Sequence, residues 1–408
     1  MNFFKKLKIR RRGYALLAKM HFFGNPSARL KIVGVTGTNG KTTTATLLYH
    51  IAIALGYRAG LLSTAGNFID TEEVPVTHTT PDPLSMNRLL KKMVEAKCEY
   101  VFVEVSSHAM DQNRLAGITF AGGIFTNLTH DHLDYHKNLE NYFKAKQKFF
   151  KMLPREAFAL TNADEDRGGE MLSGVKAKKF LYGFDSKADF KGQIIKSDFS
   201  GLELSFNGEK IKSKLLGKFN AYNILAVWGV CSILGFGKEK VKKVLESVNP
   251  PRGRFEHFMS PTGALFVIDY AHTPDALEKV LSTAKEILSG QGKLIAVFGC
   301  GGDRDPTKRP KMGRIGSSLS DLAIFTSDNP RGEDPTRIIA EMMYDLMPDQ
   351  LQKVKQITNR REAIKEAVKI AEKGDVVLIA GKGHEEYQEI KGTKYPFSDF
   401  EELKKAFD

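Results

Sequence analysis

Six times along the chain, a short run of apolar and mostly β-branched residues stops abruptly at a cluster of small and polar ones. The runs are KIVGV before TGTNGKTT, YVFVEV before SSH, GGIFTNL before THDHLDYH, LIAVFGC before GGDRD, LAIFTS before DNPR, and VVLIA before GKGHE. Each is too short for a helix. Continuous apolar runs separated by helical segments are what a parallel sheet requires, because helices cover both of its faces. In open sheets of this kind ligands bind beyond the carboxyl ends of the strands, which is where the polar clusters fall. The texture changes over residues 180–215, where Leu202, Leu204 and Phe206 alternate before Asn207-Gly208, a pair suited to a hairpin turn. A helical stretch after Asn220 then runs to Asn249-Pro250-Pro251-Arg252-Gly253, whose paired prolines cannot continue a helix. The pattern predicts an α/β chain with a mostly parallel central sheet, a β-rich excursion from it, and a boundary near residue 250.

The first polar cluster carries the strongest chemistry. In TGTNGKTTTATLLYHIAIALGY, Gly37 and Gly40 let the backbone turn tightly after a strand, and Lys41 and Thr42 open a helix with apolar Leu47, Leu48, Ile51 and Leu55 at helical spacing. This is the layout of a phosphate cradle over residues Gly37, Thr38, Asn39, Gly40, Lys41, Thr42 and Thr43. Backbone N–H groups and the helix N-terminus attract phosphates, Lys41 adds a point charge, and the Thr42 hydroxyl suits Mg²⁺. The strict GxxxxGK[ST] register would put Val35 at its first glycine, so the general pattern is met imperfectly. Such a loop implies ATP or another nucleoside triphosphate; it does not say where the phosphoryl group goes.

Composition bounds the rest. At 408 residues the chain has room for two or three domains, and its 42% apolar and 27% charged residues are ordinary for a globular protein. No run approaches the length of a membrane span. Cys98, Cys231 and Cys300 show no CxxC spacing, which favours a reducing, cytoplasmic setting over a disulfide framework or a zinc knuckle. The net charge of +13 suggests nucleic acid until its distribution is read: residues 1–31 hold nine Lys or Arg and no acid, leaving +4 elsewhere. The opening MNFFKKLKIRRRGYALLAKMHFF is expected to be a solvated basic helix packed on the first domain, with weak peripheral membrane contact as its alternative. No nucleic-acid partner is expected.

The clusters TGTNGKTTT, EVSSH, TNLTHDHLDYH, GKFNAYN, DYAHTPDALE, FGCGGDRD, SDNPRGEDP and AGKGHEEYQ, in this order from about residue 24 to the end, resemble the Mur ligases, specifically the MurE type. The resemblance implies an enzyme of peptidoglycan synthesis, with a basic segment over 1–29, an ATP-binding central domain over 30–250, and a Rossmann-like amino-acid-binding domain over 251–408. It implies an ADP-forming ligase that adds meso-diaminopimelate to UDP-N-acetylmuramoyl-L-alanyl-D-glutamate through an acyl phosphate. A folylpolyglutamate-synthase-like ligase is the alternative within the class, and a phosphate-loop kinase or NTPase the alternative outside it.

The resemblance also assigns residues. Glu104, at the end of its strand, is implied as a Mg²⁺ ligand, in keeping with the preference of hard cations for oxygen. His132 is implied as a ligand of a second Mg²⁺, although the His130, Asp131, His132, Asp134, His136 cluster read alone also suits zinc. Lys146, which looks like one solvated lysine among four in NYFKAKQKFFK, aligns with the lysine that Mur ligases carbamylate. A carbamate turns a cation into an anionic oxygen ligand. Thr79, Thr80, Ser106 and Arg114 are implied to hold the carboxylate carrier. Asn223 resembles the adenine contact, and Arg254, Asp269 and His272 resemble ribose or phosphate contacts. Arg304, Asp328, Asn329, Arg331, Gly381 and Glu385 match positions that hold the incoming amino acid. An arginine at 331 can fork onto the distal carboxylate of diaminopimelate, which lysine as a substrate lacks.

One departure stands out. The resemblance implies a uridine-nucleotide-binding domain of about 100 residues ahead of the phosphate loop, and fewer than 40 residues precede it here. The expectation is a carrier recognised with less protein, or one that is not UDP-linked, with the basic opening segment meeting a pyrophosphate or an anionic lipid.

Overall fold

The computed structural model describes residues 23–75, 79–129, 131–288, 290 and 292–407. The basic opening helix expected up to about residue 23 therefore lies almost wholly outside the described residues, as do His130 and the side chain of Asp134. The chain divides into two compact units. One takes the residues up to Ile195 with Glu203–Ser213 and Phe219–Val248; the other takes Lys196–Leu202, Lys214–Lys218 and everything from Asn249.

The first unit is built on an eleven-stranded sheet. In chain order its strands are β1 (Lys31–Thr36), β2 (Ala59–Ser63), β3 (Gly66–Ile69), β4 (Glu72–Val74), β5 (Tyr100–Glu104), β6 (Gly122–Phe125), β7 (Phe158–Asn162), β8 (Lys178–Gly183), β9 (Phe190–Asp198), β10 (Gly201–Phe206) and β11 (Glu209–Ser213). Their spatial order is 11-10-9-8-7-6-1-5-2-3-4. Pairing is parallel from β2 through β5, β1, β6, β7 and β8 to β9, as the continuous apolar runs predict, and antiparallel at the β2–β3–β4 edge. The order turns at β1, with β5 on one side and β6 on the other. Loops leaving those three carboxyl ends diverge there, and ligands of open α/β sheets bind at such a switch point.

The helix Lys41–Ala54 differs from its expected single apolar stripe. It is buried almost all round, from Thr42 to Tyr49 and again at Ile51 and Ala52, while Leu55 only caps it. Small Thr and Ala side chains between the leucines let it pack against β1, β2 and β5 on one side and the helix Lys238–Ser247 on the other. The β-rich excursion forms as expected: Leu202, Leu204 and Phe206 are buried, and Asn207 and Gly208 take φ of 48° and 92°, the pair of left-handed residues that a two-residue hairpin turn uses. Beneath the sheet, Ile32, Val101, Val103, Phe125, Phe149 and Phe150 belong to one apolar core.

The second unit holds six strands, β12 (Glu256–Met259), β13 (Leu265–Asp269), β14 (Leu294–Phe298), β15 (Leu322–Phe325), β16 (Val354–Gln356) and β17 (Val376–Ala380), in the order 12-13-17-14-15-16. All neighbours are parallel except the β12 edge. Strands β13, β14 and β17 are buried along their whole length. A separate hairpin, β18 (Tyr387–Ile390) and β19 (Thr393–Pro396), follows. The three cysteines are unpaired and buried, and burial raises each thiol's pKa, that of Cys300 to about 12. No described helix is long and apolar enough to cross a membrane.

Candidate functional site

In the first unit the polar clusters converge on the carboxyl ends of β1, β5 and β6. Residues 37–40 link β1 to the helix that begins at Lys41. The end of β6 holds this turn in place. Thr38 donates its amide to the Asn127 carbonyl at 2.9 Å, and its Oγ1 accepts from the Thr129 amide at 2.9 Å. Asn39 donates its amide to Asn127 Oδ1 at 2.9 Å, and its carbonyl accepts from Thr126 Oγ1 at 2.6 Å and Asn127 Nδ2 at 3.1 Å. Lys41 curls back over the loop, its Nζ donating to the carbonyls of Gly37 at 3.1 Å and Thr38 at 2.6 Å. The ammonium thus lies on the rim where phosphate oxygens approach a helix N-terminus.

Asn223 closes the other side of the turn. Its Nδ2 donates to Asn220 Oδ1 at 3.1 Å and its Oδ1 accepts from Thr44 Oγ1 at 3.4 Å. Gly40 has φ 84°, and a Cβ there would stand 2.3 Å from Asn223 Oδ1. Gly40→Ala therefore meets both a backbone penalty and a collision. The strain is about 1–3 kcal/mol, so the KM for ATP is expected to rise roughly tenfold or more, with the circular-dichroism spectrum unchanged.

Glu104 is buried at the end of β5, its Oε1 accepting from the Thr64 amide at 2.9 Å and the Thr64 hydroxyl at 3.1 Å. The Thr64 hydroxyl in turn lies 3.0 Å from Thr42 Oγ1. A carboxylate and two hydroxyls in a chain beside the phosphate loop make an all-oxygen donor set. Mg²⁺ keeps most of its waters and takes one or two protein ligands together with substrate phosphates, and this set fits that habit. Among the described residues no three His, Cys, Asp or Glu side chains converge as a dedicated metal cage.

Lys146 is not one of several solvated lysines. Its side chain is 1% exposed, its Nζ donates to the Gly37 carbonyl at 2.6 Å, and it stands 4.1 Å from the centre of the Tyr142 ring. Burial, with the Lys41 cation adding to it, pulls its pKa well below the ordinary lysine value. The amphipathic helix Leu139–Lys151, started by an Asn138 side-chain cap, carries it to the loop.

His132 takes a left-handed conformation, φ 54°, at the head of a short turn. Although 44% of its side chain is exposed, desolvation by its surroundings lowers its pKa, against the opposing Asp131 carboxylate 3.5 Å away. Its ring meets His108 edge-on at 4.8 Å, and His136 is buried against Ser107, with Nε2 to Oγ at 3.0 Å. Next to these, Thr80 Oγ1 donates to the Glu104 carbonyl at 2.7 Å and accepts from the Ser106 amide at 3.2 Å, while Arg114 Nη1 donates to the Thr80 carbonyl at 2.9 Å. Thr80, Ser106 and Arg114 thus form one connected group with Glu104, and Thr79 adjoins it half-buried.

In the second unit two clusters form. Arg254 lies over the Tyr270 ring at 4.8 Å, and the His272 ring meets the same tyrosine at 4.6 Å, with its Nδ1 2.8 Å from the Tyr270 carbonyl. Asp269 has both carboxylate oxygens engaged by backbone amides, from Phe255 at 2.7 Å and Ala271 at 2.8 Å, and burial raises its pKa. In this conformation it ties the Arg254 loop to β13. The other cluster gathers the loops after β14, β15 and β17. Arg331 has φ 51°, a rare conformation for a bulky residue. Its backbone is pinned to the hairpin, donating to the Glu389 carbonyl at 3.0 Å, and its guanidinium is aimed by the Gly302 carbonyl at 2.8 Å and Glu389 at 3.3 Å. Asn329 Nδ2 donates to Glu385 Oε2 at 2.9 Å, Gly381 approaches Asp328, and Arg304 stays exposed nearby.

Sequence reading missed the supports of these groups. Asn127, inside TNLTHDHLDYH, and Thr64, between the first two polar clusters, carry no signal of their own in the sequence. Arg309, 1% exposed, grips Glu333 and Glu341 behind the GGDRD loop, and Arg360 pairs with Asp399 with neither side chain exposed. Lys382 was legible only as the lysine between two glycines of GKGHE.

A phosphate loop at a switch point of one sheet, a buried lysine against it, and a second parallel sheet with basic loops define a class, and the family comparison agrees. The Mur ligase middle domain matches residues 35–231 and the Mur ligase glutamate ligase domain matches residues 253–383; the chain belongs to the Mur ligase family. Within it, the chain is 54% identical over 386 residues to the UDP-N-acetylmuramoyl-L-alanyl-D-glutamate–2,6-diaminopimelate ligase of Parabacteroides distasonis, covering 95% of this chain and 79% of that one. It is 44% identical to the corresponding ligase 1 of Clostridium acetobutylicum, over 95% and 80%. A solved structure of a ligase of the same name superposes with TM-score 0.66 at 35% identity, over 93% and 78%. Folylpolyglutamate synthase of Mycobacterium tuberculosis gives 0.70 at 18% identity, over 90% and 92%, a likeness of fold alone.

Proposed function

We propose that the chain joins meso-diaminopimelate to UDP-N-acetylmuramoyl-L-alanyl-D-glutamate, or a closely related carrier, at the expense of ATP. A carboxylate oxygen of the carrier attacks the γ-phosphorus and ADP leaves. The amine of diaminopimelate then attacks the acyl phosphate carbonyl, phosphate leaves, and the amine gives up a proton. No protein nucleophile is needed, and catalysis rests on positioning and charge. The loop of residues 37–43 and Lys41 hold the phosphates, Asn223 borders the loop, and Arg254 and His272 offer further contacts to nucleotide. Thr79, Thr80, Ser106 and Arg114 receive the carrier's carboxylate beside Glu104. Glu104, Thr42 and His132 are the residues that would hold Mg²⁺, which would supply positive charge against the phosphate oxygens. Lys146 serves as a carbamate: its amine is buried and biased to the neutral form, the form that reacts with CO₂. In this reading residues 30–250 form the ATP-binding domain and 251–408 the amino-acid-binding domain.

The observation that carries the choice of amine donor is Arg331. A strained backbone and two fixed contacts aim its guanidinium, an arrangement suited to a distal carboxylate. Its neighbours Asp328, Asn329, Gly381 and Glu385 complete a site for an amino acid, with Arg304 at its edge. The test is phosphate release from ATP by the purified protein on the UDP-muramoyl dipeptide, with diaminopimelate, lysine or glutamate supplied in turn. Release with diaminopimelate exceeding that with lysine by 10²-fold or more is expected. No release with diaminopimelate, or release with glutamate exceeding it, would overturn the reading.

A further inference from the structure

Lys382 has no part in the assignments above, yet it is a fully buried cation bonded directly to two residues of the amino-acid cluster. Its side chain is 0% exposed. Burying an ammonium is costly unless it is paired and hydrogen-bonded. Here it has both a carboxylate partner and hydrogen bonds. Nζ donates to Asn329 Oδ1 at 3.1 Å and to Glu385 Oε2 at 3.1 Å, with the Tyr387 ring centre at 5.6 Å. Asn329 Nδ2 donates to the same Glu385 Oε2 at 2.9 Å, so the three side chains close a triangle.

The backbone is shaped to make this possible. Gly381 has φ 117° and a Cβ there would lie 2.7 Å from Asp328 Oδ2; Gly383, φ 53°, passes within contact of Gly253 and Tyr270. Two residues free of Cβ bracket the lysine and turn it inward. Inside the triangle, Lys382 settles two choices that Asn329 and Glu385 alone leave open. An asparagine amide can flip, exchanging its donor and acceptor faces. With Lys382 and the Glu389 amide, at 2.9 Å, both donating to Oδ1, the NH₂ group must face Glu385. With Lys382 and Asn329 both on Oε2, Glu385 is left to offer Oε1.

We propose that Lys382 is a positioning residue of the amino-acid site: it fixes the Asn329 amide and the Glu385 carboxylate so that one N–H donor and one carboxylate oxygen face the incoming zwitterion, meeting its carboxylate and its ammonium. The proposal rests on the reading of this cluster as the amino-acid site and not on which amino acid it takes.

The experiment is steady-state kinetics on the full chain with Lys382→Met and Lys382→Gln, each alone and combined with Glu385→Gln. Lys382→Met is expected to raise the KM for the amino acid by 10- to 100-fold while changing kcat and the KM values for ATP and carrier less than threefold. Lys382→Gln, which keeps one donor, should recover part of the loss. In the Glu385→Gln background, Lys382→Met should add less than threefold, because the group it orients is already altered. An unchanged KM for the amino acid, an equal rise for all three substrates, or full additivity with Glu385→Gln overturns the proposal. If Lys382→Met does not fold, the Lys382→Gln cycle decides by the same criteria. Should the wild type prefer an amino acid other than diaminopimelate and lose that one in Lys382→Met, the positioning role stands and the diaminopimelate reading falls.

Discussion

Lys146→Arg is expected to be inactive, with kcat lower by roughly 10²–10³-fold, even though it preserves a cation at a site where the wild type has a lysine. Arginine stays protonated and cannot form a carbamate. If Lys146 acted as a plain ammonium on the Gly37 carbonyl, 2.6 Å away, the arginine variant would retain much of its turnover. The same logic gives a gas-phase control. Stripping CO₂ from the wild-type enzyme should lower its rate and bicarbonate should restore it, while neither treatment should move the variant. Acid should oppose the modification, because lowering the pH protonates the amine and removes the reactive form; the depressed pKa lets the neutral amine persist to lower pH than in an exposed lysine. A carbonyl resonance appearing with ¹³C-labelled bicarbonate in the wild type and absent from the variant is the direct readout.

The second large effect is on stability. Arg360 donates from Nε and Nη2 to the two oxygens of Asp399, both at 2.7 Å, and from Nη2 to the Ala380 carbonyl at 2.9 Å. Both side chains are fully buried. Arg360→Ala leaves a carboxylate buried with no cation, at a cost of about 3–5 kcal/mol. For a unit of this size that is a drop of roughly 10 °C in the midpoint of its calorimetric transition. Asp399→Ala should cost a similar amount. The double replacement Arg360→Met with Asp399→Leu should be milder than either single one, because it removes both charges and leaves packing. A double variant as unstable as the sum of its parts would show that the pair acts through something other than charge compensation. The pair anchors Ala380, the residue just before the Gly381–Glu385 loop, so the single variants should also weaken binding of the amino acid.

The strands were readable because a buried parallel strand has a signature that no surface element shares: an apolar run on both faces, cut off by polar residues at its carboxyl end. All six runs became strands, and the excursion announced itself through alternation and Asn207-Gly208. The helix Lys41–Ala54 was harder, since threonines that look polar in the sequence are interior in the fold. The phosphate loop was legible from residue types alone, whereas Lys146 was singled out only through family resemblance, before its burial against Gly37 was on view. Four lysines in eleven residues look alike until packing selects the one that turns inward. Arg360 and Asp399 lie 39 positions apart, and nothing periodic links them. Asn127 acts largely through its backbone carbonyl and the two faces of its amide, which any asparagine possesses. Supports of a site are recognisable once distances exist, and residue type gives little warning of them.

The buried cysteines give the molecule a built-in clock. Cys98 and Cys231 belong to one compact unit and Cys300 to the other, and each thiol is protonated and shielded in the native state. An alkylating reagent can reach them only when the surrounding structure opens, so labelling rates followed by mass spectrometry time the opening of each unit separately. Cys300 directly precedes the GGDRD loop, which makes its rate a gauge of how often that loop lifts from the body of the protein. Adding nucleotide or amino acid should then slow one clock or the other, and so report which unit each ligand fastens.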